Sequence, residues 1–190
     1  NSKIIITDDN KIQTLAQVQN NEVNVNIVAQ TDDLGERLHV VSFIDKDTIQ
    51  FMKESSNKKK DDVRVCMHMD SKSDFHDMVI LQRKGCYRRP HKHLNKGETW
   101  HIIEGAMAVF VFNDFGHIID KRILSPSDMF LYRLDKNMYH TAIPVSKYVI
   151  YHESKLGPFL KNNDSIYPDW SPVAGESSDA YQLKLLEGFL

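Results

Sequence analysis

Ala106-Met107-Ala108-Val109-Phe110-Val111-Phe112, followed by Asn113-Asp114-Phe115-Gly116, reads as a β-strand running into a hairpin. Side chains alternate across a strand, so Met107, Val109 and Val111 face one way and Ala108, Phe110 and Phe112 the other. Both sets are apolar, which predicts a strand covered on both faces, by a barrel interior and by a second layer. The N-terminal segment or a second subunit would supply the outer cover, and a homodimer is expected on that ground.

Further strands follow on either side. Val63–Met69, Asp77–Leu81, Thr99–Glu104, Ile118–Leu124, Met129–Leu134 and Lys147–Glu153 are short and rich in Val, Ile, Met and aromatics. Turn signals separate them, among them Lys84-Gly85, Lys96-Gly97, Glu104-Gly105 and Ser125-Pro126-Ser127-Asp128. With no crossover helices between them, these strands predict an all-β antiparallel sandwich or barrel rather than a doubly wound α/β fold. Four segments are expected: an N-terminal addition over 1–52, a solvated linker or loop over 53–62, the barrel over 63–160, and a tail over 161–190. The addition should hold a strand at Lys3–Thr7, a helix around Asn10–Gln19 and strands at Val23–Val28 and Leu38–Phe43. From Gly157 onward the chain carries Pro158, Pro168 and Pro172 and regains periodicity only at Asp179–Leu190, a short amphipathic helix.

The 190 residues carry 24 Lys and Arg against 26 Asp and Glu, a net charge of -2. Such a balance gives no general attraction to nucleic acid or anionic membranes. No apolar run approaches the roughly 18 residues of a membrane span. The start, Asn1-Ser2-Lys3 and three isoleucines, is too short to be a signal peptide. With only Cys66 and Cys86, a disulfide framework is not expected, and a reducing, cytoplasmic setting is.

Chemistry concentrates in Pro90-His91-Lys92-His93-Leu94-Asn95-Lys96-Gly97-Glu98. Residues two apart on an extended chain share a face, so His91 and His93 present their imidazoles to one point. Glu98 opens the return strand toward it, and His140 is the best candidate for a further ligand. Three imidazoles and a carboxylate suit one divalent transition ion (Zn, Fe, Mn, Ni or Co) and leave coordination positions open, the mark of a catalytic site. An inward Glu98 also turns Trp100 and Ile102 inward and His101 away.

At these residues the chain resembles the cupin superfamily. Gly85, His91-Lys92-His93, Glu98 and Gly105 fit the first cupin motif; Asp128 and His140 match the second, with Asp135 and Asn137 where its proline and glycine usually stand. Within the superfamily the chain is most similar to the WbuC-type cupin-fold metalloproteins. The likeness rests on Arg64-Val65-Cys66-Met67-His68, His76-Asp77-Met78, Tyr87, Pro90 to His93, Lys96-Gly97-Glu98, Tyr132-Arg133, His140-Thr141, His152-Glu153, Gly157-Pro158-Phe159 and Trp170-Ser171-Pro172. It spans about Val63 to Trp170. The resemblance implies a cupin-type double-stranded β-helix (a jelly-roll barrel) holding a metal, and a role near surface-polysaccharide metabolism.

Other pocket residues complete the expectation. Arg64 and His68 share a strand face, and a buried Arg calls for an anionic partner. Tyr87, Arg89 and Lys96 flank the histidine segment and are, with Arg64, the candidate substrate-binding residues for a small polar or anionic metabolite. Glu153 as general base, Tyr132 as hydroxyl donor and His68 are the candidate catalytic residues. An inward His152 is the alternative to Glu153, since alternation admits one of the two. The leading expectation is a metal-dependent isomerase or epimerase acting on a sugar-like metabolite. An iron-dependent dioxygenase or a non-catalytic metabolite-binding cupin would use the same ligands.

Overall fold

The structure, a computed structural model, describes residues 43–68 and 70–189, with the backbone of four N-terminal strands. Those are β1 (Gln17–Gln19), β2 (Glu22–Asn24), β3 (Ile27–Thr31) and β4 (Arg37–Ser42). Helix α1 (Lys46–Lys59) follows, then β5 (Val63–Cys66), β6 (Phe75–Arg83), β7 (Glu98–Glu104), β8 (Met107–Phe112) and β9 (Ile118–Leu124). The chain closes with β10 (Leu131–Leu134), β11 (Tyr139–Pro144), β12 (Tyr148–Leu156), a 3-10 turn at Lys161–Asn163 and helix α2 (Glu176–Glu187). A seven-stranded sheet in the order β1-β2-β5-β6-β12-β7-β10 faces a three-stranded sheet in the order β11-β8-β9, and β3 and β4 form a separate ribbon. This is the expected β-sandwich, with a C-terminal helix. Among the described residues, no helix is long and apolar enough to cross a membrane.

Alternation builds three apolar layers. Between the sheets lie Met78, Ile80, Trp100, Ile102, Met107, Val109, Val111 and Tyr151. Outside the larger sheet, α1 lays Met52 against Val63, Val65, Val79, Leu81 and Ile150. Outside the smaller sheet, Ala108, Phe110 and Phe112 are covered by Leu185, Tyr181, Leu186 and Phe189 of the C-terminal region, with Trp170. The two-sided burial predicted for β8 is thus observed. Among the described residues its cover is the chain's own tail.

The linker expected over 53–62 is corrected: α1 runs through most of it. Asp45 caps the helix by accepting from the Thr48 N–H at 2.8 Å, and Lys60 ends it in the left-handed region at φ 58. Ile49, Met52 and Ser56, at spacings of three and four, form its inner stripe. That stripe is narrow because the Ser56 hydroxyl ends it, donating to the Asp61 carbonyl at 2.7 Å. Burying Met52 completely contributes about 1.5–3 kcal/mol. The lysines and acids around the stripe are the solvent face, and they masked the period.

Of the N-terminal expectations, the strands near Val23–Val28 and Leu38–Phe43 correspond to β2, β3 and β4. The strand at Lys3–Thr7 lies outside the described residues, as does most of the helix at Asn10–Gln19, whose last three positions are β1. The C-terminal helix begins three residues earlier than expected and ends at Glu187.

Candidate metal centre

His91 and His93 stand on an extended segment between β6 and β7 that joins no ladder over any length. His91 makes a two-hydrogen-bond bridge with His140 of β11, N to O distances 3.0 and 2.9 Å. Lys92, facing the other way, makes the same bridge with Ile166 in the tail. Gly97 is where this segment crosses beneath β10; a Cβ there would stand 2.5 Å from the Leu134 carbonyl oxygen, so only glycine passes. The bridge to β11 draws the three rings together, with centroids 4.6 Å apart for His91 and His140, 5.1 Å for His91 and His93 and 6.0 Å for His93 and His140. One ring nitrogen from each lies within 4.8 Å of the others.

Backbone carbonyls fix which nitrogen faces inward. Nδ1 of His91 is 3.0 Å from the Arg89 oxygen and Nδ1 of His140 is 2.9 Å from that of Met138. Nδ1 of His93 is bonded to the Asp164 carbonyl. A carbonyl oxygen only accepts, so each Nδ1 carries the proton and each Nε2 presents a lone pair. Nε2 of His93 and of His140 are buried and make no hydrogen bond of acceptable geometry. Yet they lie 2.8 and 3.3 Å from the two Glu98 oxygens. Lone pairs facing carboxylate oxygens at such range call for a cation between them, and a divalent transition ion fits a donor set of three imidazoles and a carboxylate. Burial, then His140, pushes His91 down to about 3, so it stays neutral and ready to ligate.

Inward-facing residues of the large sheet stand in rows. His76, Lys155 and Glu98 are direct cross-strand partners on β6, β12 and β7, and so are Met78, Glu153 and Trp100. Lys155 Nζ donates to Glu98 Oε1 at 2.8 Å and to Glu153 Oε1 at 2.9 Å. Burial pulls this ammonium down, but the Glu153 and Glu98 carboxylates outweigh it and hold it above the usual lysine value. Burial likewise opposes ionisation of Glu98, and Lys155 with His140 and His93 overcomes it, keeping the carboxyl well below its usual range. Trp100 Nε1 donates to Glu153 Oε2 at 3.3 Å. Beside this row the His68 and His76 rings stack in parallel, 4.1 Å between centroids.

A cavity of about 670 Å³ opens onto the cluster, with Arg64, His68, Arg88, Glu153 and Lys155 on its wall beside the metal-type ligands. Arg88 is pinned by Asp62 at 2.6 Å. Two sequence expectations, Tyr132 and Lys96, are corrected. Tyr132 does not reach the cavity: its ring stacks on Trp100 and its hydroxyl donates to Asp120 at 3.1 Å, which with burial pushes it up to about 12. Lys96 is buried against Asp164 at 2.6 Å and is not on the cavity wall. Arg89 and Tyr87 line the cavity with their polar atoms turned to the tail. Arg89 donates to Ser171 Oγ and the Pro168 carbonyl, both at 2.9 Å, and Tyr87 to the Pro172 carbonyl at 2.8 Å. Glu153 faces inward and His152 outward, onto Asp77 at 2.6 Å.

Lys155 and Asp164 were missed, and His76, quoted for the resemblance, was given no role in the site. The alternation that turns Tyr151 and Glu153 inward also turns Lys155 inward, but only if β12 runs past Glu153, as it does. His76 follows from Met78 in the same way. Asp164 lies in an aperiodic tail that gives no such signal.

Fold and site together define a β-sandwich with a histidine-rich metal-type centre facing its cavity. A family described as a domain of unknown function (DUF6016) matches residues 44–124. No curated protein matches the sequence. Among solved structures, CapF with the inhibitor 3-isopropenyl-tropolone aligns over 53% of this chain and 33% of its own, at 12% identity and TM-score 0.44. KdgF from Halomonas sp. aligns over 52% of this chain and 80% of its own, at 18% identity and TM-score 0.42. A B. subtilis oxalate decarboxylase carrying a tryptophan-to-phenylalanine substitution aligns over 50% and 24%, at 14% identity and TM-score 0.41. The chain thus spans about a third of the length of CapF.

Proposed function

We propose that the protein is a metal-dependent enzyme of the isomerase or epimerase type, acting on a small, anionic, sugar-like metabolite in polysaccharide-related metabolism. The observation that carries this reading is the trio of Nε2 lone pairs, fixed by three carbonyls, at the wall of a cavity that also holds a carboxylate and cationic side chains. His91, His93, His140 and Glu98 would hold the ion. When bound, a divalent metal supplies Lewis acidity that polarises a substrate carbonyl. Glu153 takes the proton from the adjacent, hydroxyl-bearing carbon and delivers it to the former carbonyl carbon, while the hydroxyl proton passes to the former carbonyl oxygen, so that the two carbonyl isomers interconvert. Lys155 stabilises the oxyanion formed meanwhile, in a site where burial strengthens that attraction. Arg64 and the Arg88 edge hold the anionic group of the substrate.

Protein loaded with each candidate ion, incubated in D2O without oxygen with a panel of acidic sugars and 2-keto sugar acids, should place deuterium on the carbon next to the carbonyl, read by mass spectrometry. Glu153→Gln should abolish the exchange without changing metal content. His91→Ala/His93→Ala should lose the metal and keep a folded circular-dichroism spectrum. Turnover that requires oxygen would replace this reading with an iron-dependent dioxygenase, and tight binding without exchange would replace it with a metabolite-binding cupin.

A further inference from the structure

The back of His93 is held by a residue 71 positions further along the chain. The Asp164 carbonyl accepts from His93 Nδ1, while its carboxylate Oδ1 accepts from Lys96 Nζ at 2.6 Å and from the Leu160 N–H at 3.1 Å. Lys96 Nζ also donates to the Pro158 carbonyl at 2.9 Å. Lys96 and Asp164 are 5% and 4% exposed, so both charges are removed from water. Such a pair does little for overall stability, because desolvation offsets its attraction; its effect is to fix geometry. Here it fixes one thing directly: the place of the carbonyl that sets the proton and orientation of His93. Along the same face, the bridge from Lys92 to Ile166 and the Arg89 bonds to Ser171 and Pro168 fasten the tail to the ligand-bearing segment. The tail residues 158–166 join no sheet.

We propose that Lys96 and Asp164 are positioning residues of the metal centre, an ion-pair latch through which metal capture and docking of residues 158–166 become one coupled equilibrium. This rests on the metal-centre reading above. Coupling is reciprocal: whatever docks the tail tightens the metal, and the metal docks the tail by the same factor. Groups that orient a ligating histidine are typically worth about 10–100-fold in metal affinity.

Zn2+ affinity is measured by competition with a chromophoric chelator, alongside the visible spectrum of the Co2+-loaded protein. Lys96→Met and Asp164→Ala should each bind Zn2+ about 10–100-fold more weakly and alter the Co2+ bands. Asp164→Asn, which keeps an oxygen for Lys96, should recover part of the loss. In the unaltered protein, Zn2+ should slow amide exchange of residues 160–166 by about ten-fold or more, a readout that stands even where a variant fails to fold. Unaltered Zn2+ affinity in folded variants, or exchange at 160–166 indifferent to Zn2+, overturns the latch and leaves the metal centre standing. Failure of the unaltered protein to take up Zn2+ or Co2+ overturns both.

Discussion

His91 donates its Nδ1 proton to a carbonyl and sits with His140 4.6 Å away, in surroundings that keep the ring uncharged. In the unfolded chain the same ring takes up a proton below its ordinary value of 6.5, whereas in the folded chain it resists down to about 3. Between those two limits the unfolded state binds more protons, so acid favours unfolding; above 6.5 the stability linked to His91 is fully present. Metal-free protein should therefore lose resistance to urea from about pH 7.5 to about pH 5, and His91→Gln should make that decline shallower. His93, drawn above its ordinary value against burial by Glu98, changes stability with the opposite sign. The single substitution at His91 isolates one contribution from the other.

At the scale of the element, α1 depends on few contacts. Met52 is fully buried among Val63, Val65, Val79, Leu81 and Ile150, and Met52→Ala should cost about 2–4 kcal/mol in urea unfolding. Lys58→Ala, on the solvent face, should change stability by less than about 0.5 kcal/mol. How well elements can be recognised from sequence follows from how many side chains they bury. β8 buries all six, and its two-sided reading is the observed one. β7 alternates cleanly, and Glu98, Trp100 and Ile102 point inward while His101 does not. α1 buries only Met52 and Ser56, so its composition reads as solvated chain. β11 is the exception: it is as long as β8 and buries five of its six residues, but His140, Thr141 and Pro144 interrupt its apolar run, so it does not stand out as a strand.

At the scale of the whole molecule, the apolar layers run α1, large sheet, small sheet, α2, and the site opens from between the sheets. A ligand that binds only the folded state stabilises all of it, so Zn2+ at about 100 times its dissociation constant should add roughly 2.7 kcal/mol. That should appear as a rise in melting temperature, absent in His91→Ala/His93→Ala. That His91, His93 and Glu98 meet was legible because residues two apart share a face and because Glu98 belongs to a strand with a clear period. What converges through tertiary contact was not legible: Asp164 behind His93, Tyr87 and Arg89 turned to the tail, Lys96 buried against Asp164 where a substrate-binding lysine was expected.

β12 lies between β6 and β7, hydrogen-bonded along both edges, and it carries Glu153 and Lys155. His91 and His93 ride instead on a segment fastened by isolated bridges. The centre is therefore half bedrock and half hinge-board. Substitutions around residues 87–96 and in the tail can retune how avidly an ion is gripped, or which ion is admitted, without disturbing the strand that carries Glu153 and Lys155. A lineage could change its metal and keep that carboxylate and ammonium in place.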